Sequence, residues 1–412
     1  MPINKQQQHL RLKLAALKQN GLLKGRERVI RDILPAEGMR GPRYLLAGCG
    51  DRPFLRMNAN GYLGMSLRKE VIAAEEAAAE KFGAGPGAVR FISGTFTTHV
   101  ALEKKLAAFH GREAAMIFSS AYAAVMGVIT ALIEQDSIVL SDALNHNCII
   151  NAIRLSRPKD KSVYRHLDMH DFEMSVKTAI TRCEHLLVVT DGIFSMRGDH
   201  APLNVICDIA AKYHHAFARG ITVMVDDSHG VGAFGATGRG TEEVTQAAGI
   251  DMLVATLGKS LGVNGGYIVA AAPVIEYLRE TSPFYVYSNP ITPSEAAAAS
   301  QALDILDSQR GRSLLAKLRR LTLFFETGLK DLGFEIIASD HPIVPVMIRN
   351  TEKTAALVRH LFDNNILATG LTYPVVPQGD EEIRFQVTAD HTEDDIQTVL
   401  DVLRSWNRKS VA

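Results

Sequence analysis

Two short apolar runs, thirty residues apart, constrain this chain more than any other feature. The first, Thr222-Val223-Met224-Val225, stops on Asp226-Asp227-Ser228-His229. The second, Met252-Leu253-Val254-Ala255, stops on Thr256-Leu257-Gly258-Lys259, and a loop holding Gly262, Gly265 and Gly266 follows. Apolar runs of this length, bounded by turn signals, read as buried strands. One ends on a carboxylate and an imidazole, the other on a lysine. Asp226 and His229 precede Lys259 by 33 and 30 residues, one strand-to-strand excursion. Adjacent parallel strands bring all three to one sheet edge, and the carboxyl ends of such strands are where ligands sit.

A lone lysine after a strand is ordinarily a surface residue. Facing an Asp that lies three residues before a His, it suits a Schiff base to pyridoxal phosphate, with the carboxylate paired to the pyridine nitrogen. Upstream, Ala115-Met116-Ile117-Phe118 feeds Ser119-Ser120-Ala121-Tyr122 and a helix running to about 133. The unpaired N–H groups and dipole of that helix start make an anion site, and the cofactor phosphate is placed there. The run 138–140 precedes Asp142 and Asn145-His146-Asn147; the run 186–189 ends at Thr190-Asp191-Gly192, with Ser195 just beyond. Strands alternating with helices predict an α/β fold with a doubly wound, mainly parallel sheet.

At 412 residues, more than one domain is expected. Residues 1–57 read as an N-terminal helical arm and linker, with helical spacing over 8–33 interrupted at Gly21. Residues 58–293 form the large domain in this reading. Residues 294–412 form a smaller C-terminal α/β domain, entered through an Ala-rich helix at 294–306. Its strands are predicted at 343–348 and 383–387, and its helices at 351–362 and 392–406.

Lys+Arg and Asp+Glu both number 45, so no overall field draws the protein to nucleic acid or a membrane surface. The four cysteines lack C-x-x-C spacing, which argues against structural zinc and for reduced thiols. The first residues lack an apolar signal core, and no uncharged apolar run reaches the ~20 residues that span a bilayer. A cytoplasmic protein without a metal, a nucleic-acid partner or a membrane span is the expectation.

Other motifs carry two readings each. Gly230-Val231-Gly232-Ala233-Phe234-Gly235 matches a dinucleotide fingerprint, but a polar stretch with two further glycines follows instead of an apolar helix. The loop Gly83-Ala84-Gly85-Pro86-Gly87 before Arg90 is either a ligand loop or a surface turn. His146 either caps a helix or stacks on a cofactor. Arg384, in Ile383-Arg384-Phe385-Gln386-Val387, is either exposed or an inward fork for a carboxylate.

Taken as a set, several motifs give the chain a family likeness. They are Asn60-Gly61-Tyr62-Leu63-Gly64, Val89-Arg90-Phe91-Ile92-Ser93-Gly94-Thr95, Ser141-Asp142-Ala143-Leu144-Asn145-His146, Asp191-Gly192-Ile193-Phe194-Ser195-Met196, Val225-Asp226-Asp227-Ser228-His229-Gly230 and Thr256-Leu257-Gly258-Lys259. With them the chain, from about Asn58 to its C-terminal helix, resembles the α-oxoamine synthases of the fold-type I pyridoxal phosphate enzymes. That family includes glycine C-acetyltransferase, whose wording is nearest, 8-amino-7-oxononanoate synthase, 5-aminolevulinate synthase and serine palmitoyltransferase. The resemblance implies a seven-stranded, mainly parallel sheet and a homodimer with shared sites. It implies an acyltransferase that condenses a small amino acid (glycine, alanine or serine) with an acyl-CoA or acyl-carrier thioester, with or without loss of carbon dioxide. A same-fold aldolase or lyase acting on a β-hydroxy amino acid is the alternative.

The resemblance also implies residue roles. Lys259 carries the cofactor, Asp226 pairs with its ring nitrogen, His229 contacts its ring hydroxyl, His146 stacks on its face and Ser195 lies beside it. Backbone at Ala121 and Tyr122 and the Thr256 side chain hold the phosphate. Ser288 and Asn289 reach the neighbouring subunit's phosphate, and Asn60 and Arg384 bind the amino-acid carboxylate.

Overall fold

The computed structural model describes residues 2–19, 23 and 27–411. In chain order its strands are β1 (Ile30–Leu34), β2 (Arg43–Leu46), β3 (Leu55–Arg56), β4 (Ala114–Phe118) and β5 (Ser137–Asp142). Next come β6 (Asp160–Tyr164), β7 (His185–Asp191), β8 (Ile221–Asp226), β9 (Met252–Thr256) and β10 (Gly266–Ala270). The C-terminal part holds β11 (Ile343–Met347), β12 (Ile366–Leu367), β13 (Thr369–Leu371) and β14 (Glu382–Gln386).

Seven of these make the central sheet, in the order β4-β10-β9-β8-β7-β5-β6. β10 runs antiparallel to β4 and to β9, and the other pairings are parallel. Successive side chains of each strand enter opposite cores. Val223, Val225, Leu253 and Ala255 join one, whereas Met224, Met252 and Val254 join the other. A sheet covered on both faces demands apolar residues at every position, each side chain contributing ~1.5–3 kcal/mol on burial. Polar residues resume only where the chain leaves the sheet, at Asp226 on β8 and at Thr256 on β9.

The pattern did not announce every strand. β6, Asp-Lys-Ser-Val-Tyr, is half polar because it lies at the sheet edge with β5 as its neighbour. β10 follows the glycine loop so closely that it reads as part of it. The polar stretch after Gly235 forms only a five-residue helix, Thr241–Thr245. The glycines around it wrap the buried Asp227 carboxylate, which accepts from Thr241 N and Oγ1 (both 2.7 Å). A Cβ on Gly230 or Gly240 would lie 2.1 or 2.0 Å from an Asp227 oxygen.

The helical reading of 8–33 needs correction. The N-terminal helix spans Pro2–Gln19, Gly21 lies outside the described residues, and 30–34 form β1 paired antiparallel with β2. The β-branched Ile30 and Ile33 favour that extended pairing, and Pro35 ends it.

The C-terminal part carries the antiparallel sheet β11-β14-β13, packed with the helices Gln309–Asp331, Thr351–Asp363 and Glu393–Val411. The 23-residue helix Gln309–Asp331 is absent from the sequence reading. Residues 41–62 stitch this part to the central sheet. β3 pairs with β12, Gly41 N donates to Asp395 Oδ2 (3.0 Å), and Ala389 N donates to Tyr62 O (2.7 Å). The 58–64 turn is thereby hung over the edge where β8 and β9 end. Among the described residues no helix is long and apolar enough to cross a membrane.

Candidate active site

The ends of β5, β7, β8 and β9 open onto a cavity of about 260 Å³. Its walls bring together Ala121, Tyr122, His146, Ser195, Asp226, His229, Thr256 and Lys259, each singled out from sequence. Ser288 and Asn289 are not among them; Ser288 is half-buried and Asn289 exposed.

At one end, β4 turns into the helix Ala121–Leu132, and Ser120 caps it by accepting from Ala123 N (3.1 Å). The N–H groups of Ala121 and Tyr122 remain for an anion. Gly266 on β10 packs directly against this turn, where a Cβ would come within 2.1 Å of Ala121 N. Thr256 Oγ1 lines the same end but donates to Gly265 O (3.1 Å) and accepts from Gly258 N (3.0 Å). Its hydroxyl must therefore exchange a partner to hold a phosphate.

At the other end stands Asp226, whose Oδ1 accepts from Ser228 N (3.1 Å) and whose Oδ2 faces Cys148 Sγ at 3.7 Å. Register places Asp191 of β7 beside it. Burial, then the Asp226 charge, raises the Asp191 carboxyl well above its ordinary value. Two buried carboxylates this close repel, so each negative charge disfavours the other. Burial pushes the Lys259 amine down to about 8, against the pull of Asp226 and Asp191.

His229 is buried, and desolvation followed by the charges of Lys259 and Arg384 holds it well below the usual imidazole range. Tyr62 OH lies 2.8 Å from its Nδ1 and 3.4 Å from Asn60 Oδ1. The phenol donates to Asn60 Oδ1, and its contact with the imidazole ties the tautomer of His229 to Tyr62. His146 caps the helix Asn147–Ser156, its Nδ1 accepting from Cys148 N (3.2 Å), and its ring lines the cavity. Arg384 points inward, donating from Nη1 to Ser195 O (2.6 Å) and from Nη2 to Asn60 Oδ1 (3.2 Å). Arg90, by contrast, pairs with buried Glu103 (3.1 and 3.2 Å) and is structural.

Against known proteins, a model of the family "Aminotransferase class I and II" matches residues 52–403. The chain belongs to the aminotransferase class I and II family, on its α-oxoamine synthase branch. Within it, the chain is 39% identical to 8-amino-7-oxononanoate synthase 1 of Bacillus velezensis, over 90% of this chain and 91% of that protein. It is 41% identical to the mitochondrial 2-amino-3-ketobutyrate coenzyme A ligase of Mus musculus, over 83% and 80%. A solved structure of SPT with its PLP internal aldimine superposes with a TM-score of 0.87 at 29% identity, covering 97% of each chain. The SPT structure shares this chain's α/β fold.

Sequence reasoning passed over three polar residues of this cavity wall. Cys148 and Asp191 flank Asp226, and Ser228 Oγ is buried at the cavity wall with no partner among the described residues. Asp191 had a signal, since it ends a neighbouring apolar run just as Asp226 does. Cys148 and Ser228 had none.

Proposed function

We propose that the chain is a pyridoxal-phosphate-dependent α-oxoamine synthase that joins a small amino acid to an acyl thioester and releases an α-amino ketone. One observation carries this: a helix N-terminus, an amine poised near neutrality and an ionisable carboxylate line a single cavity. The residues suit the cofactor on their own chemistry. Ser228 Oγ lacks a partner among the described residues, and glycine at 266 leaves the phosphate cradle open. Bound there, pyridoxal phosphate supplies a carbonyl for an amine and a protonated ring that withdraws electrons from the adjoining carbon.

The chain supplies the rest. Ala121 and Tyr122 amides, with Thr256, hold the phosphate. Asp226 keeps the ring nitrogen protonated by placing negative charge beside it. His229 would contact the ring hydroxyl, His146 would cover the ring and Ser195 would flank it. Asn60 and Arg384 grip the amino-acid carboxylate, a planar fork suited to that group. Lys259 takes the Cα proton, a task its lowered pKa fits. That carbon then bonds to the thioester carbonyl as the thiol leaves.

The test is thiol release from acyl-CoA thioesters by the holoprotein with glycine, alanine or serine. Release that needs both substrates supports the synthase; turnover of a β-hydroxy amino acid without any thioester supports the aldolase or lyase instead. That alternative gains nothing from the relatives compared, whose names are synthase, coenzyme A ligase and SPT.

Ser288 and Asn289 are assigned to a second copy's cofactor. Beside them Tyr287 is 81% exposed, and Phe91 and Ile92 are each 64% exposed, apolar surface of the kind a partner covers. Sedimentation at twice the chain mass agrees with this; a monomer at micromolar concentration opposes it. The four cysteines are free, which supports a reducing, cytoplasmic location.

Two predictions follow from the cradle and the amine. Gly266→Ala overpacks the phosphate turn at a cost of about 1–3 kcal/mol. Equilibrium dialysis should then show several-fold to about a hundredfold weaker cofactor binding, and unchanged affinity removes the cradle. Only the neutral amine reacts with the cofactor carbonyl, so cofactor uptake by the apoprotein rises with pH through a midpoint near 8. A stopped-flow profile with its midpoint near the ordinary lysine value contradicts the buried amine.

A further inference from the structure

Lys259 borders a second cavity, of about 330 Å³, walled also by Tyr44, Arg56, Asn60, Ser66 and Thr388. With the first cavity given to the cofactor and Asn60 and Arg384 to the amino-acid carboxylate, this is the space left for the other substrate. Its chemistry is unlike that of an alkyl tunnel. The hydroxyls of Tyr44, Ser66 and Thr388 make no hydrogen bond among the described residues, and Thr388 is buried. Arg56 has no carboxylate partner among those residues; its guanidinium lies 5.1 Å over the Tyr44 ring. The one acid in the wall, Asp390, is taken by Arg68 at 2.9 Å.

Arg56 is also well anchored. Its backbone belongs to β3, paired with β12, and its carbonyl accepts from His391 Nε2 (3.1 Å). His391 Nδ1 accepts from Thr388 N (3.1 Å), which fixes the proton on Nε2. Burial keeps this imidazole neutral, pushed down to about 4, so the anchor persists at working pH. A long alkyl chain here would strip water from a cation and several hydroxyls without replacing its bonds. A carboxylate would pair with the guanidinium through charge-assisted bonds and satisfy the hydroxyls around it.

We propose that this cavity receives the acyl group of the thioester and that Arg56 selects acyl chains ending in a carboxylate over neutral chains of equal length. The inference rests on the synthase reading above. An anion could equally arrive as a phosphate of the carrier, so the test separates the two sources.

Glutaryl and pentanoyl thioesters, each made on coenzyme A and on N-acetylcysteamine, are titrated calorimetrically into the holoenzyme without amino acid, so that none is consumed. The native enzyme should bind glutaryl over pentanoyl by about tenfold or more on both carriers. Arg56→Gln should remove most of that preference, and Arg56→Lys, which keeps the charge but not the fork, should retain part of it. Equal binding of the two acyl chains by the native enzyme, or a preference that survives Arg56→Gln, overturns the proposal. Weakening of both coenzyme A thioesters alike, with the short carriers unaffected, places a carrier phosphate at Arg56 and also overturns it. Adding amino acid then reads thiol release. A binding preference that depends on Arg56, with no thiol released from any donor, counts against the synthase reading and leaves the anion site standing.

Discussion

Asp226→Asn is expected to lower turnover by about two to four powers of ten while cofactor still binds. The substitution keeps the shape of the side chain and removes its charge from a buried position, where deleting one partner of a charge pair costs about 3–5 kcal/mol. At about 1.4 kcal/mol per tenfold, that is the quoted loss if it falls on the transition state. Asp191 shapes what remains. Its carboxyl is raised by burial and then by the Asp226 charge, so neutralising position 226 lets Asp191 ionise more readily. Part of the lost field returns from a neighbouring strand. Asp226→Asn combined with Asp191→Asn should therefore lose more than the two single effects summed, the mark of coupled groups. Near-native rates in Asp226→Asn refute the role assigned to it.

Lys259→Ala is expected to abolish measurable turnover and the visible band of the lysine-linked cofactor together. Two functions proposed for one amine would vanish: the covalent link to the cofactor and the acceptor for the Cα proton, the latter worth about 10²–10⁴ in rate. Cofactor should still enter, because the groups at the phosphate end, Ala121, Tyr122 and Thr256, are untouched. Steady-state assays and an absorption spectrum check both halves. An unchanged spectrum means that another lysine holds the cofactor.

Much of this was legible in the chain because β8 and β9 are buried on both faces. Their apolar runs break only where the backbone leaves the sheet, so the chemical residues stand out at the ends. The same rule failed for β6, whose edge position tolerates Asp160, Lys161 and Ser162. It failed again for β10, whose Gly266 serves the phosphate turn and looks like loop. The helical spacing of leucines near the N-terminus hid β1, because pairing with β2 is a long-range fact.

The adjacent acids show the limit most clearly. Asp226 and Asp227 are equivalent in the sequence, yet they separate as the strand ends. Asp227 turns to Thr241 and organises a glycine loop, whereas Asp226 enters the cavity. Cys148, Ser228 and the tautomer of His229 depend on contacts between distant segments, such as Tyr62 with His229, which no local pattern encodes.

The central claim is that one amine, Lys259, and one acid, Asp226, flank a single pyridoxal phosphate. Borohydride reduction of the holoprotein, followed by proteolysis and mass spectrometry, tests it most directly. The account predicts one phosphopyridoxyl adduct per chain, on Lys259. An adduct on any other lysine, or none, contradicts it.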